Sequence, residues 1–224
     1  MKLVVEALLE ILLFPVYILC GPLGYIIKLK PAPTGKKIVF VHGWLTNNPL
    51  YFFFKRYLES KGFSVYMTNL GLMASDFNLE AKNLKLFIDE MGLKDFTLVG
   101  VSGGAIVSYL YLQNLGGWSK ANRFISIGGP YKGTPLAYLA YWSGSARQII
   151  PGSRFLEELN RKPVVNADGI TTVSAKYDDV VPPQSSLLPG AKHKIIPAVG
   201  HLVLQSLAQE TFALVEKLAN QVPT

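Results

Sequence analysis

The segment Phe96–Leu115, FTLVGVSGGAIVSYLYLQNL, decides the fold. An apolar run typical of a buried strand leads into the pentapeptide GVSGG at Gly100–Gly104, and a helix-like stretch follows from Ala105. A G-x-S-x-G sequence between a strand and a helix is typical of a nucleophile elbow, a tight turn that holds its serine in strained backbone geometry. We therefore predict that Ser102 projects from the end of a strand at the N-terminus of a helix, where developing negative charge is favoured.

Strands and helices alternate on both sides of this segment. Short apolar and β-branched runs predict strands at residues 38–41, 63–67, 96–101, 123–127, 171–175 and 194–196. Helical periodicity and terminal glycines predict helices at residues 50–61, 79–91, 105–115 and 202–218. This alternation predicts an α/β fold with a mostly parallel central sheet and helices on both faces.

Polar residues follow two of the later strands, and the carboxyl ends of parallel strands meet at one edge of a sheet. Asp178 and Asp179 follow the fifth predicted strand, and His201 follows the sixth. We expect His201 to accept the proton of Ser102, and a carboxylate to hold the imidazole in place. Asp178 is nearer the strand end and is preferred, with Asp179 as the alternative. A polar turn or helix cap is the other interpretation of the two aspartates.

The first predicted strand is followed by His42, Gly43 and Trp44. A sharp turn there would direct the backbone N–H of Trp44 toward the substrate carbonyl, and the N–H of Gly103 would supply the second donor of an oxyanion hole. The ring of His42 is expected to brace this loop rather than to take part in the chemistry.

Charge and metal-ligating residues narrow the range of partners. The formal net charge is +7, but the basic residues are scattered and no nucleic-acid motif is present, so we expect no nucleic-acid partner. The chain has one cysteine, Cys20, so it cannot form an intramolecular disulfide. Its three histidines lack the spacing of a metal site, and no metal or other cofactor is expected.

Residues 1–29 differ in composition from the rest of the chain, since Leu12–Ile27 carries no charge. A full membrane span needs about 20 apolar residues, and Pro15 would kink such a helix. Glu6 and Glu10 argue against a signal peptide. We predict an N-terminal membrane anchor or interfacial hairpin, with lysines that meet lipid headgroups at Lys28, Lys30, Lys36 and Lys37. A helix packed on the domain surface, in a cytoplasmic protein, is the alternative.

The domain organisation follows from these patterns. Residues 1–29 form the apolar segment, residues 30–36 a linker rich in proline, and residues 37–224 an α/β domain. A small helical cap or lid is expected at about residues 134–161.

Five blocks of sequence make the chain similar to one superfamily: VHGW at 41–44, GVSGG at 100–104, IGGPYKGTPLA at 127–137, YDDVVPP at 177–183 and VGHLVL at 199–204. From Lys36 to Ala219 the chain resembles the α/β-hydrolase superfamily, and within it the small bacterial lipases and esterases. Many lipases carry a histidine before the serine and a bulkier residue after it. Here Val101 and Gly103 stand at those positions, which implies a roomier oxyanion side.

The residues and the resemblance together predict a serine carboxylic-ester hydrolase that cleaves hydrophobic acyl esters through an acyl-enzyme. A lipid or other hydrophobic ester is the expected partner, with a membrane surface as a second and a monomer or weak oligomer as the assembly. Apolar residues are expected to line the substrate pocket at Leu45, Leu72, Met73, Tyr131, Leu136, Leu139 and Trp142. The alternatives are an acyltransferase or thioesterase of the same fold, and a binding or receptor module without catalysis.

Overall fold

A computed structural model of the chain describes residues 2–221, which contain six strands and eight α-helices. The strands are β1 (Lys36–Val41), β2 (Phe63–Met67), β3 (Phe96–Val101), β4 (Ala121–Ile127), β5 (Ile170–Tyr177) and β6 (Lys192–Val199). The helices are α1 (Lys2–Leu23), α2 (Phe52–Ser60), α3 (Phe77–Glu90), α4 (Gly103–Asn114), α5 (Gly144–Gln148), α6 (Arg154–Arg161), α7 (His201–Ser206) and α8 (Gln209–Asn220). Short 3-10 turns include Asn48–Tyr51 before α2 and Pro135–Ala140 before α5.

All six strands belong to one parallel sheet in the order β2-β1-β3-β4-β5-β6. The chain leaves β1 to form β2 on one side, then returns to place β3 on the other side of β1. The loops that follow β1 and β3 therefore separate at the point where the strand order reverses. In open α/β sheets this switch point is where ligands bind.

Both faces of the sheet are buried, as the apolar runs of its strands require. Along β1, Val39 packs with the core formed by α3 and α4, whereas Ile38 and Phe40 pack on the opposite face. That second core includes Phe54 of α2 and Phe212 of α8, whose rings stack with centroids 4.3 Å apart. The expected α/β architecture with helices on both faces is confirmed.

Two details of the sequence-based prediction differ from the structure. The helix predicted at residues 202–218 is wrong, since α7 ends at Ser206 and α8 begins at Gln209. Ser206 Oγ donates a hydrogen bond to the carbonyl of Leu202 four residues earlier, a contact that weakens and bends helices. Strand β6 spans Lys192–Val199 rather than residues 194–196. It lies at the edge of the sheet, and its exposed residues interrupt the apolar run by which a buried strand is recognised in a sequence.

Helix α1 turns its polar residues toward the domain and its apolar residues outward. Its buried stripe contains Glu6, Glu10 and Cys20, whereas most of its leucine, isoleucine and valine side chains are exposed. Both ends contact the domain, because Lys2 pairs with Glu210 and a Cβ built on Gly21 would lie 3.0 Å from the carbonyl oxygen of Leu45. The helix, about 33 Å long at 1.5 Å per residue, therefore lies across the domain.

Candidate active site

Ser102 occupies the turn between β3 and α4 with φ 50° and ψ −121°. This region of backbone space costs a non-glycine residue about 1–3 kcal/mol, so the surrounding structure must hold it there. The flanking glycines make the turn possible: a Cβ on Gly104 would lie 2.2 Å from the carbonyl oxygen of His42, and one on Gly100 would lie 2.7 Å from that of Gly104. The backbone N–H of Ser102 donates to the carbonyl of Ile127 and ties the turn to β4.

His201 and Asp178 form a buried pair at the ends of β6 and β5. His201 Nδ1 lies 2.9 Å from Asp178 Oδ2, and the two side chains are 4% and 0% exposed. The other oxygen of Asp178 accepts the backbone N–H groups of Val180 and Val181, which fixes the carboxylate. The geometry thus gives Asp178, rather than Asp179, the contact with the imidazole.

Asp179 contacts the backbone of the histidine instead. Its Oδ1 accepts the N–H of His201 at 2.9 Å, where α7 begins. Burial opposes the charged imidazolium, but the neighbouring carboxylates, Asp178 first among them, outweigh it and raise the pKa of His201 above 6.5. A histidine in this setting is a stronger base than one in water.

One cavity of about 450 Å³ brings the serine and the histidine together, since Ser102 and His201 both line it. Within residues 2–221, Nε2 of His201 is buried without a hydrogen-bond partner. The ring packs against the loop after β4, where a Cβ on Gly128 would lie 2.8 Å from Cε1. Nε2, the nitrogen that a general base would use, is thus not engaged by any other described group, and its residue shares a cavity with Ser102.

The predicted oxyanion residues, Trp44 and Gly103, lie side by side. A Cβ built on Gly103 would lie 3.2 Å from the backbone nitrogen of Trp44, and one on Gly43 would lie 3.4 Å from Cβ of Ser102. Gly103 begins α4, so its N–H has no acceptor within the helix. The loop is held by Tyr51, whose hydroxyl accepts the N–H of Gly43.

The ring of His42 has a bracing position. Its Nε2 accepts the N–H of Leu70, and its Nδ1 lies 3.0 Å from the carbonyl oxygen of Gly43. Complete burial lowers its pKa to about 4, so it stays neutral. It joins the loops after β1 and β2.

Of the predicted pocket residues, Leu136 lines the cavity. Tyr131 is buried in the core, where its hydroxyl donates to Ser126, and Met73 is buried as well. Leu139 is 82% exposed and Trp142 68% exposed, although the Trp142 ring lies 6.2 Å from that of Trp44 at the rim. Leu45 and Leu72 are half-buried, pair through a backbone hydrogen bond and do not line the cavity.

The predicted cap supplies one wall of the cavity, and α1 supplies the other. The wall from the cap consists of Thr134, Leu136, Ala137, Ala146 and Ile149. The wall from α1 consists of Glu10, Ile11, Phe14 and Tyr17, and the Tyr17 hydroxyl donates to the carbonyl of Trp44. We did not predict these four residues. The signal was available, because two acidic residues one turn apart in an apolar helix imply a protein partner on that side.

Two of the four lysines expected at a lipid surface lie elsewhere. Lys36 and Lys37 begin β1, at the opposite end of the strand from the cavity, and bond to Asn220 and to the carbonyl of Lys94. A six-residue strand separates them from the site by roughly 20 Å. Lys28 and Lys30 are exposed just after α1. Among the described residues, no cluster of His, Cys, Asp and Glu has the makings of a metal site.

No family model matches the chain, but solved structures do. The mature form of a Bacillus licheniformis lipase superposes with a TM-score of 0.63 at 18% identity, over 83% of this chain and 94% of that one. A Paleococcus ferrophilus monoacylglycerol lipase gives 0.63 at 17% identity, over 86% and 99%. An alpha/beta hydrolase enzyme from a lagoon-sediment metagenome of Mar Chica, Morocco, gives 0.59 at 21% identity, over 84% and 91%.

The chain has the α/β-hydrolase fold. The resemblance inferred from the five sequence blocks is confirmed at the level of the fold. Within this α/β-hydrolase fold, Ser102 follows β3 at the switch point of the sheet, and the pair formed by Asp178 and His201 follows β5 and β6.

Proposed function

We propose that the protein is a carboxylic-ester hydrolase for hydrophobic acyl esters, with Ser102 as nucleophile, His201 as general base and Asp178 as the partner of the histidine. The contact of 2.9 Å between His201 Nδ1 and Asp178 Oδ2 carries this proposal. It leaves Nε2 unpartnered among the described residues, and His201 lines the same cavity as the strained serine. The lipases and esterases among the structural neighbours support the same reaction class.

The reaction would proceed in two halves. Ser102 Oγ attacks the ester carbonyl while Nε2 of His201 takes the hydroxyl proton, and the N–H groups of Trp44 and Gly103 stabilise the oxyanion. The carbon–oxygen bond to the alcohol then breaks, the imidazolium returns its proton to the departing alcohol, and an acyl-enzyme remains. Water attacks this intermediate with the same base, which releases the acid and restores the serine.

The cavity favours an apolar acyl group. Apart from the catalytic end, its walls are mostly apolar side chains from α1 and the cap, including Ile11, Phe14, Leu136 and Ile149. A space of about 450 Å³ is within the range of small-molecule sites, which bind ligands through apolar walls and a few placed polar groups.

We also propose that the outer face of α1 lies in a lipid interface. Of the described residues, only α1 forms a helix long and apolar enough to cross a membrane. Because both ends of α1 contact the domain, the helix would lie flat along the surface rather than cross it. Its exposed leucines, with Lys28 and Lys30 beside them, suit anionic lipid. The cavity would then open where its substrates are dissolved.

Hydrolysis of p-nitrophenyl esters of increasing chain length tests the reaction. Ser102→Ala is expected to remove the burst of p-nitrophenol and lower kcat by about 10⁶-fold, the scale seen when a nucleophilic serine is removed. Ser108→Ala is the matched control, because Ser108 lies on α4 and its buried hydroxyl has no partner within residues 2–221. A wild-type protein with neither burst nor turnover would support a binding module instead.

A further inference from the structure

Glu10 of α1 reaches into the active site from the far end of the sequence. Its Oε1 accepts the backbone N–H of Leu202 and its Oε2 that of Val203, both at 2.8 Å. These are the first-turn donors of α7, which have no acceptors within the helix. His201, the first residue of α7, is thus followed directly by two residues that Glu10 holds.

The approach of Glu10 depends on Gly200. This residue has φ +98°, and a Cβ on it would lie 2.2 Å from Oε2 of Glu10. Only glycine therefore leaves room for the carboxylate at this position. Each carboxylate oxygen of Glu10 accepts a hydrogen bond from a separate backbone N–H, so the contact is bidentate.

Relying on the function proposed above, we infer that Glu10 is a positioning residue for His201. It caps the start of α7 and so fixes the imidazole relative to Ser102, and its negative charge stabilises the imidazolium that forms during turnover. It also seats Ile11 and Phe14 at the cavity, because Ile11 follows it directly and Phe14 lies one turn later on the same helix. Glu10 thus links the seating of the N-terminal helix to the basicity of the catalytic histidine.

The charges around His201 give the direction in which its pKa should change when Glu10 is replaced. Asp178, Asp179 and Glu10 are the carboxylates that act on the imidazole, and all raise its pKa. Glu10 itself is buried, which raises the pKa of its carboxyl, while the N–H groups of Leu202 and Val203 oppose that rise. Replacing Glu10 by a neutral residue removes one of three negative charges, so the pKa of His201 should fall.

The test is the pH dependence of kcat/KM in Glu10→Gln, with Glu6→Gln as the matched control. Glu6 lies one turn earlier on the same stripe and accepts the N–H of Val199, so its hydrogen bond is to β6 rather than to α7. The neutral imidazole is the active base, so activity rises with pH through the pKa of His201. We expect Glu10→Gln to move that midpoint down by about half a pH unit or more and to lower kcat by roughly tenfold. Glu6→Gln should leave the midpoint unchanged.

A second variant and a second readout keep the test decisive. Glu10→Asp retains the charge with a shorter reach, so it should lower kcat while keeping the wild-type midpoint. The pKa of His201 is also read directly by NMR of labelled histidine, with His201→Ala identifying the signal, so the inference can be checked even in a protein without esterase activity. Equal effects of Glu10→Gln and Glu6→Gln, or a loss of activity in Glu10→Gln with no change in the pKa of His201, would overturn it.

Discussion

Asp178 and Asp179 are neighbours in the chain that contact different atoms of His201. Asp178 bonds to the ring nitrogen, and Asp179 bonds to the backbone N–H. Consecutive residues at the end of a strand point in different directions, so a single position decides which carboxylate meets the imidazole. The sequence suggested Asp178 from its place nearer the strand end, and the geometry places its carboxylate at the ring.

We predict that Asp178→Asn lowers kcat for a soluble ester by about 10⁴-fold, because an asparagine amide cannot hold the histidine in the required tautomer. Asp179→Asn keeps an oxygen that can accept the N–H of His201, so its effect should stay within about tenfold. Stopped-flow and steady-state assays of both variants, with thermal melting to confirm folding, provide the measurement. The assignment of the two aspartates would be reversed if Asp179→Asn were the more damaging change.

The candidate catalytic positions can be proposed from the sequence because their constraints are local. The glycines around Ser102 and before His201 are needed for particular backbone conformations, and these can be recognised in a sequence. The pocket positions depend on long-range packing, which decides where a loop side chain points, and of the seven proposed residues Leu136 alone lines the cavity. Tyr131 lies in the glycine-rich loop after β4, where a pocket residue was expected, but its side chain points into the core and its hydroxyl donates to Ser126.

Helix α1 has two separable faces, one against the domain and one toward the surroundings. Phe14 and Leu12 are both exposed, but Phe14 lines the cavity and Leu12 does not. Composition identified the segment as apolar, but an average over residues 1–29 cannot reveal that the polar stripe is the docked one. The spacing of four residues between Glu6 and Glu10 indicates that both lie on one face of the helix, which is the docked face.

We predict that Phe14→Ala raises KM for long-chain p-nitrophenyl esters by about fivefold and leaves short-chain esters almost unchanged. The lost contact is apolar and partly exposed, so it contributes about 1 kcal/mol to substrate binding. Leu12→Ala is the control, since it removes a similar apolar side chain from the same helix without touching the cavity. Equal changes in both variants, or a loss that does not depend on chain length, would place the acyl group elsewhere.

At the scale of the whole molecule, part of the exposed apolar surface adjoins the candidate site. Ile11 of α1 and Leu136 of the 3-10 turn at Pro135–Ala140 are exposed and also line the cavity, and Leu8 is one of the other exposed apolar residues of α1. Apolar patches of this kind on a folded protein mark contacts with membranes or other proteins. The alternation of strands and helices was predictable from the sequence. The position of this apolar surface next to the cavity was not, since it arises from how distant segments pack.

We predict that Leu8→Asp weakens binding to vesicles of mixed phosphatidylcholine and phosphatidylglycerol by about tenfold or more, because a leucine buried in lipid contributes about 1.5–3 kcal/mol. Leu86→Asp is a matched control, since both leucines are 57% exposed and Leu86 lies on α3, away from the cavity lining. Vesicle co-sedimentation at low and high salt measures both the apolar and the lysine contributions. Failure of the wild-type protein to sediment, or equal losses in both variants, would contradict an interfacial role for α1.

Cys20, the single cysteine of the chain, lies on the buried face of α1 and packs with the core that contains Tyr51 and Phe54. Burial raises the pKa of its thiol, which slows its reaction with alkylating reagents while the helix is docked. Modification of the thiol must wait for the helix to lift. The rate at which Cys20 is alkylated should therefore report how often the N-terminal helix detaches from the domain, without any added label.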